Sequence, residues 1–321
     1  MTTLISFIIP HKGREKMLID TLDSIKHQTL PADQFEVVLV SQNTNVSPRL
    51  KEFEQFFSLN IIYNDDAKSI SHSRNLGAEK ATGTYFAFLD ADVSLASDYA
   101  LVMLQKLQQS SSLALVAAMQ INSENAPPLE RIRTSLSNAE LDTTVNFLPG
   151  RNLFLHKKTF AKVNGFPEHL LTCEDYYFTG QVNEHGSLYY TSETHYVHLG
   201  EDKAFGPMFK KEIWRGQSNI ASTSGRPIPL RELPSFIVPF AVTIGIIILL
   251  LCLLYSQTNF AIIFSIIAGA PLLAYTFRLK KLVGNTVSFF NCLRFYLVYF
   301  PARAIGTLLG ARGAVTTSSH K

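Results

Sequence analysis

Short apolar runs alternate with helical periodicity along residues 1–121, the pattern of a mostly parallel sheet covered by helices. The runs at 4–9, 35–40, 59–63, 85–89 and 113–119 predict buried strands. Between them, Met17, Leu18, Leu22 and Ile25 mark one amphipathic helix, and Leu101, Leu104 and Leu107 mark another. Ligands of such sheets gather at the carboxyl ends of the strands. Those ends carry Pro10 to Arg14, then Ser41, Gln42 and Asn43, then Asp90, Ala91 and Asp92, so three polar loops are expected around one crevice. The first run stops at Pro10, too short for the apolar core of a leader peptide, and reads as a strand.

The regular alternation stops at 121, and Pro127 and Pro128 mark a break before a more irregular half reaching about 202. Residues 203–235 then mix aromatic and basic side chains, among them Phe205, Phe209, Trp214 and Arg215. Two charge-free runs follow, 236–255 and 260–277, each long enough for a hydrocarbon core of about 30 Å. The polar link 256–259 permits only a hairpin, which puts both outer ends on the same side. Lys210, Lys211, Arg215, Arg226, Arg231, Arg278, Lys280 and Lys281 flank those outer ends while the link is uncharged, which predicts a cytoplasmic N-terminal half. A third apolar region, 283–299, holds Arg294 near its middle; an interfacial helix is the expectation and a third span the alternative. The chain thus divides into 1–121, 122–202, an interfacial linker 203–235, a transmembrane hairpin 236–281, and a basic amphipathic segment with a tail, 282–321.

The net charge of +3 over 321 residues is too balanced to argue for nucleic acid, and the basic residues gather near the apolar C-terminal part, which favours a membrane. Cys173, Cys252 and Cys292 are too far apart and odd in number, so neither a disulfide framework nor a zinc site is indicated.

Candidate chemistry centres on Asp90 and Asp92, one residue apart where a buried strand meets a loop. Two such carboxylates can share Mg²⁺ or Mn²⁺ carrying a diphosphate; a solvated turn is the plain alternative. Arg74, in a segment before that strand, suits either a phosphate or the locking of the Asp loop. Glu174 and Asp175 lie just before a helical stretch, where the helix dipole favours carboxylates whatever their function.

With these motifs in order, the chain resembles a family 2 glycosyltransferase of the GT-A fold: Phe7 to Pro10, Arg74 to Gly77, Leu89 to Asp92, Gly150 to Asn152, and Glu174 with Asp175, over roughly residues 4 to 200. The resemblance implies an α/β fold, a mixed and mainly parallel sheet with helices on both faces, and an inverting transfer from a nucleotide-diphosphate sugar. Asp90 is then near the ribose and metal, Asp92 a direct ligand of Mn²⁺ or Mg²⁺, and Asp175, beside Glu174, the base for an acceptor hydroxyl. His198 is a candidate third ligand or a structural histidine. Pro10, Arg14, Ser41, Asn43, Asp66 and Arg74 are candidates around the nucleotide. Gly150, Arg151 and Asn152 are candidates for the sugar or acceptor pocket.

Two departures bear on the donor. Relatives usually end the second strand in an acidic pair, where this chain has Ser41, Gln42 and Asn43, and Arg151 stands where a small residue is usual. An amide can still hydrogen-bond a base, while Arg151 suits an acidic sugar, a lipid phosphate or a buried ion pair. Two readings follow. One is a membrane-anchored transferase acting on a lipid-linked or glycan acceptor in surface polysaccharide or glycolipid synthesis, alone, as a homo-oligomer or within a polysaccharide-assembly complex. The other is a non-catalytic, membrane-anchored nucleotide- or glycan-binding scaffold. A transporter is disfavoured, because neither span carries an ionisable residue.

Overall fold

The computed structural model describes residues 3–64, 68–170, 172–220 and 230–318, with the side chains at 231 and 312–318 outside that description. In chain order the elements are β1 (Ile5–His11), α1 (Glu15–Lys26), β2 (Phe35–Ser41), α2 (Pro48–Lys51), β3 (Ser58–Tyr63), α3 (Ile70–Lys80), β4 (Tyr85–Leu89), β5 (Val93–Leu95), α4 (Tyr99–Gln108), β6 (Leu113–Ile121), α5 (Pro128–Ser137), β7 (Thr143–Val145), β8 (Asn152–His156), α6 (Lys157–Lys162), α7 (Glu174–Asn183), β9 (Ser187–His198), α8 (Phe205–Gly216), α9 (Leu233–Leu254), α10 (Thr258–Val283) and α11 (Phe289–Ser318). They form two units, Met1–Glu124 with Ser137–Glu201, and Asn125–Leu136 with Asp202–Lys321.

The first unit is built on one sheet in the order β3-β2-β1-β4-β8-β6-β9-β5, with β7 paired to β9. Strands β3, β2, β1 and β4 are parallel, β8 enters antiparallel between β4 and β6, and β9 runs parallel to β6. Strand periodicity sorts β1 between two cores: Ile5, Phe7 and Ile9 pack with Leu18, Leu22 and Ile25 of α1 and Met103 of α4, while Ile8 packs with Ala78 of α3 and Phe178 and Val182 of α7. Helices therefore cover both faces, and strands buried on both faces appear as the unbroken apolar runs of the sequence.

The strands outrun their apolar runs. β1 continues to His11 and β2 to Ser41, residues paired in register, so the polar carboxyl ends are still part of the ladder. Glu174 and Asp175, expected just before a helix, are the first two residues of α7, where the N-terminal dipole accommodates both carboxylates.

In the second unit, Leu129 and Ile132 of α5 pack with Met208 of α8, Val242 of α9, Leu279 of α10 and Phe295 and Phe300 of α11. Helix α5 lies in the 122–202 stretch of the chain yet packs here. Helix α9 (mean hydropathy 3.0) and the segment Thr258–Thr286 (mean hydropathy 2.0) are, among the described residues, the two helices long and apolar enough to cross a membrane. The apolar region 283–299 is not one element: Gly284, at φ +57°, breaks it between α10 and α11. Arg294 of α11 lies over the Phe205 ring, 4.4 Å from its centroid.

Candidate active site

At the end of β4, the Asp90 backbone N–H donates to the Arg151 carbonyl at 3.1 Å, which ties the Asp loop to the start of β8. Arg74, one turn into α3 and fully buried, divides its guanidinium among three partners. Nη2 donates to Asp90 Oδ1 at 2.8 Å and to the Gly150 carbonyl at 3.3 Å, and Nη1 donates to Glu174 Oε1 at 2.9 Å. Burial opposes the charge of Arg74, but the Asp90 and Glu174 carboxylates outweigh it and hold the guanidinium's pKa above its ordinary value. Burial conversely raises the pKa of Asp90, with Arg74 pulling the other way. Arg74 thus locks the Asp loop to the start of α7.

Asp175 is held by two backbone donors. Its Oδ2 accepts from Gly150 N–H at 3.0 Å and its Oδ1 from Tyr176 N–H at 2.8 Å. Burial, then the neighbouring charge of Glu174, pushes its pKa up to about 6. A Cβ at position 150 would lie 3.1 Å from the Asp175 Cβ and 3.2 Å from Arg74 Nη2, so glycine is what lets the loop approach both.

The second carboxylate of the motif faces elsewhere. The antiparallel pair β5–β9 sets Val93 opposite His198, which brings His198 Nε2 to 3.4 Å from Asp92 Oδ1. On the ring's other side, Nδ1 is 3.1 Å from Glu201 Oε2, an oxygen that also accepts from Gln120 Nε2 at 3.1 Å and pairs with Arg151 Nη2 at 3.3 Å. Burial disfavours a charged His198, but its bonds to Asp92 and Glu201 outweigh burial and raise its pKa above the ordinary histidine value. Arg14, mostly exposed, donates from Nη1 to Asp92 Oδ2 at 3.0 Å. A side chain at Gly200 would collide with that carboxylate and with Arg14.

A carboxylate and an imidazole that face each other, with the ring's far nitrogen on a second carboxylate, fit a divalent cation with two protein ligands. Among the described residues no group of three or more His, Cys, Asp or Glu is placed around one point, because the Asp90 carboxylate turns to Arg74. The remaining positions would fall to phosphate oxygens and water.

At the neighbouring strand ends, Pro10 and Ser41 are buried, and Ser41 Oγ lies 3.1 Å from His11 Nδ1 and accepts from the Asn43 N–H at 3.2 Å. Asn43 Oδ1 in turn accepts from Gly13 N–H at 2.8 Å, next to the left-handed pair Gly13 and Arg14. Asp66 lies outside the described residues. Asn152 is fully buried, and its amide bonds both backbone groups of Ala118 at 2.7 and 3.3 Å, a link between β8 and β6. Arg151 is an internal ion pair: besides Glu201, it donates from Nη1 to Gln120 Oε1 at 2.5 Å. Glu201 and Gln120 belong to none of the motifs legible in the sequence. The signal for Glu201 was its place three residues after His198, across Gly200.

Residues 6–164, about half of the chain, match the family model described as Glycosyl transferase family 2. The glycosyltransferase AglE of Haloferax volcanii is 24% identical over 225 residues, which cover 67% of this chain and 73% of that protein. The O-antigen chain rhamnosyltransferase RfbN of Salmonella typhimurium is 23% identical over 197 residues, 57% of this chain and 62% of that one. Among solved structures, the mannosyltransferase PcManGT of Pyrobaculum calidifontis, in complex with GDP-Man and Mn²⁺, superposes with a TM-score of 0.69 at 16% identity, over 96% of this chain and 88% of that one. TarS of S. aureus, residues 1–349, gives a TM-score of 0.51 at 14% identity over 97% and 92% of the two chains. The matched motifs, the sheet order and these likenesses agree, and the chain belongs to glycosyltransferase family 2, as a glycosyltransferase of the GT-A fold.

Proposed function

We propose that this glycosyltransferase is membrane-anchored and inverting, and moves a hexose-type sugar from a nucleotide-diphosphate donor to a lipid-linked or glycan acceptor in surface polysaccharide or glycolipid synthesis. The observation that carries the reading is Asp175, held by Gly150 with a pKa of about 6 and linked through Glu174 and Arg74 to Asp90. A base of that pKa is ionised at neutral pH, yet basic enough to take a hydroxyl proton as the acceptor oxygen attacks. A single in-line displacement needs such a base and no covalent intermediate.

Asp92 and His198 would hold Mn²⁺ or Mg²⁺, which when bound supplies positive charge for the departing diphosphate. Asp90 lies beside them for the ribose, and Pro10, Arg14, Ser41 and Asn43, with Asp66, would surround the nucleotide. The fully paired Arg151 reads best as a support of this centre, and Gly150 as the wall of the sugar pocket. A surface-polysaccharide role is in keeping with the O-antigen and teichoic acid names among the relatives. Anchoring rests on α9 and α10, and the cytoplasmic side on the basic residues flanking that hairpin and on its uncharged link.

The test is Mn²⁺-dependent binding and turnover of a panel of nucleotide sugars by the detergent-purified full chain, with Asp92→Ala and Asp175→Asn beside it. Turnover of one donor, lost in both variants while Asp175→Asn still binds that donor, is the expected result. No metal-dependent donor binding across the panel would sink the reading and favour a scaffold.

A further inference from the structure

Glu201 is a carboxylate with a fully buried side chain, yet it lies outside the Asp-x-Asp motif and outside the Glu174–Asp175 pair. Its Oε2 is the meeting point of three nitrogens: His198 Nδ1 at 3.1 Å, Gln120 Nε2 at 3.1 Å and Arg151 Nη2 at 3.3 Å. The Gln120 amide nitrogen and the guanidinium can only donate, so this oxygen is an acceptor. The third nitrogen must then also donate. With Nδ1 bonded to Glu201, Nε2 is the nitrogen that faces Asp92 Oδ1, 3.4 Å away, and the one that would offer its lone pair to a cation held there.

Gln120 and Arg151 are themselves fixed. Gln120 Oε1 accepts from Arg151 Nη1 at 2.5 Å, and the Gln120 backbone is bonded on both sides by the Asn138 side chain, at 3.1 and 2.6 Å. Glu201 therefore cannot swing away without breaking a closed set of bonds in the interior.

We propose that Glu201 is a positioning residue for cation binding, fixing the His198 tautomer and aiming Nε2 at the ion held with Asp92, with Arg151 and Gln120 as its supports. The proposal rests on the reading of His198 as a ligand and assigns to this chain the parts that make that ligand competent. It also gives the buried Arg151 a reason to be an arginine.

The experiment measures binding of Mn²⁺ alone to the full chain by electron paramagnetic resonance, with pulsed detection of the ¹⁴N modulation of a directly bound imidazole. His198→Ala is expected to abolish the modulation and weaken Mn²⁺ binding. Glu201→Ala is expected to abolish or reduce the modulation and raise the Kd about 10- to 100-fold, the usual loss when the outer partner of a ligating histidine is removed. Glu201→Ala placed on His198→Ala should add nothing. Glu201→Gln, whose carbonyl still accepts from Nδ1–H, should recover the modulation. Where Glu201→Ala unfolds because Arg151 is left unpaired, the double variant Glu201→Met with Arg151→Met removes both charges and carries the same expectation. Loss in His198→Ala with unchanged modulation and Kd in the folded Glu201 variants overturns the inference alone. No change in His198→Ala removes the ligand reading beneath it, and the inference with it.

Discussion

The Gly150 N–H points at Asp175 Oδ2 from 3.0 Å, and the room for that bond exists only because residue 150 has no side chain. Gly150→Ala places a methyl group 3.1 Å from the Asp175 Cβ and 3.2 Å from Arg74 Nη2, so the loop or the carboxylate must shift. A full ångström of misplacement costs a base about 10²-fold in rate, and these contacts call for a few tenths of one. The expectation is a kcat lowered by less than that factor, measured alongside the thermal midpoint to separate misplacement from unfolding.

The rate should follow the ionisation of Asp175. The base works only when deprotonated, and burial raises its pKa to about 6, so kcat is expected to climb through pH 6 and level off above it. The same shift has a stability consequence of opposite sign. A native pKa above the unfolded value means that ionised Asp175 costs stability. The cost is absent below the ordinary carboxylate range, near pH 4, grows as pH rises, and is fully present above pH 6. Asp175→Asn should therefore be inactive; its NH2 group cannot accept from the second backbone N–H, but its thermal midpoint relative to the wild type should rise between about pH 4 and 6 and level off above. A kcat limb near pH 4 would remove Asp175 from the role of base.

The two helix-covered faces and the Asp-x-Asp loop were legible because strands buried on both sides leave continuous apolar runs, and the loop residues follow at their ends. Arg74 could be singled out but not placed. Its partner Glu174 is 100 positions away, and nothing in either segment says whether a guanidinium meets a phosphate or a carboxylate. Glu201 is weakly marked for a related reason: the acidic pair Glu201 and Asp202 after a strand has no periodicity, and the role of Glu201 comes from the fold bringing Gln120 and Arg151 to it. Asn152 shows the converse. A polar residue inside a motif reads as a pocket residue, whereas its amide links two strands of the sheet. Helix α5 had a visible apolar face, but amphipathicity does not name the surface that covers it.

Removal of the cation should separate binding from proton transfer. With Asp92 and His198 as the protein ligands, chelation by EDTA is expected to lower kcat/KM by about 10²-fold or more, several kcal/mol, with recovery on adding Mn²⁺. Asp92→Asn should reproduce the loss and resist rescue. Asp175→Asn should retain Mn²⁺-dependent donor binding, since among the described residues Asp175 bonds to the backbone N–H groups of Gly150 and Tyr176 and not to Asp92 or His198. Isothermal titration with the donor identified by turnover checks all three.

In the second unit, Glu212 of α8 is almost wholly buried among arginines: Arg215 Nη1 at 2.7 Å, Arg133 Nη1 at 3.2 Å and Arg303 Nη1 at 3.7 Å. Burial pushes its pKa up, but the three guanidinium charges outweigh burial and hold it below the ordinary glutamate value. The sign follows: the stabilisation is present above the unfolded pKa and fades as pH falls through the native one, so neutral pH has all of it. Removing the carboxylate leaves three arginines crowded together, and breaking a buried pair from one side costs about 3–5 kcal/mol. Glu212→Ala is therefore expected to lower the unfolding midpoint of the detergent-solubilised chain at pH 7. Glu212→Gln should lose less, because its carbonyl still accepts from Arg215. Since α8 joins α5 and α11 through these charges as well as through Met208, the loss should appear as early exposure of Phe295 and Phe300 to hydrogen exchange in α11, and equal exchange there in wild type and variant would refute it.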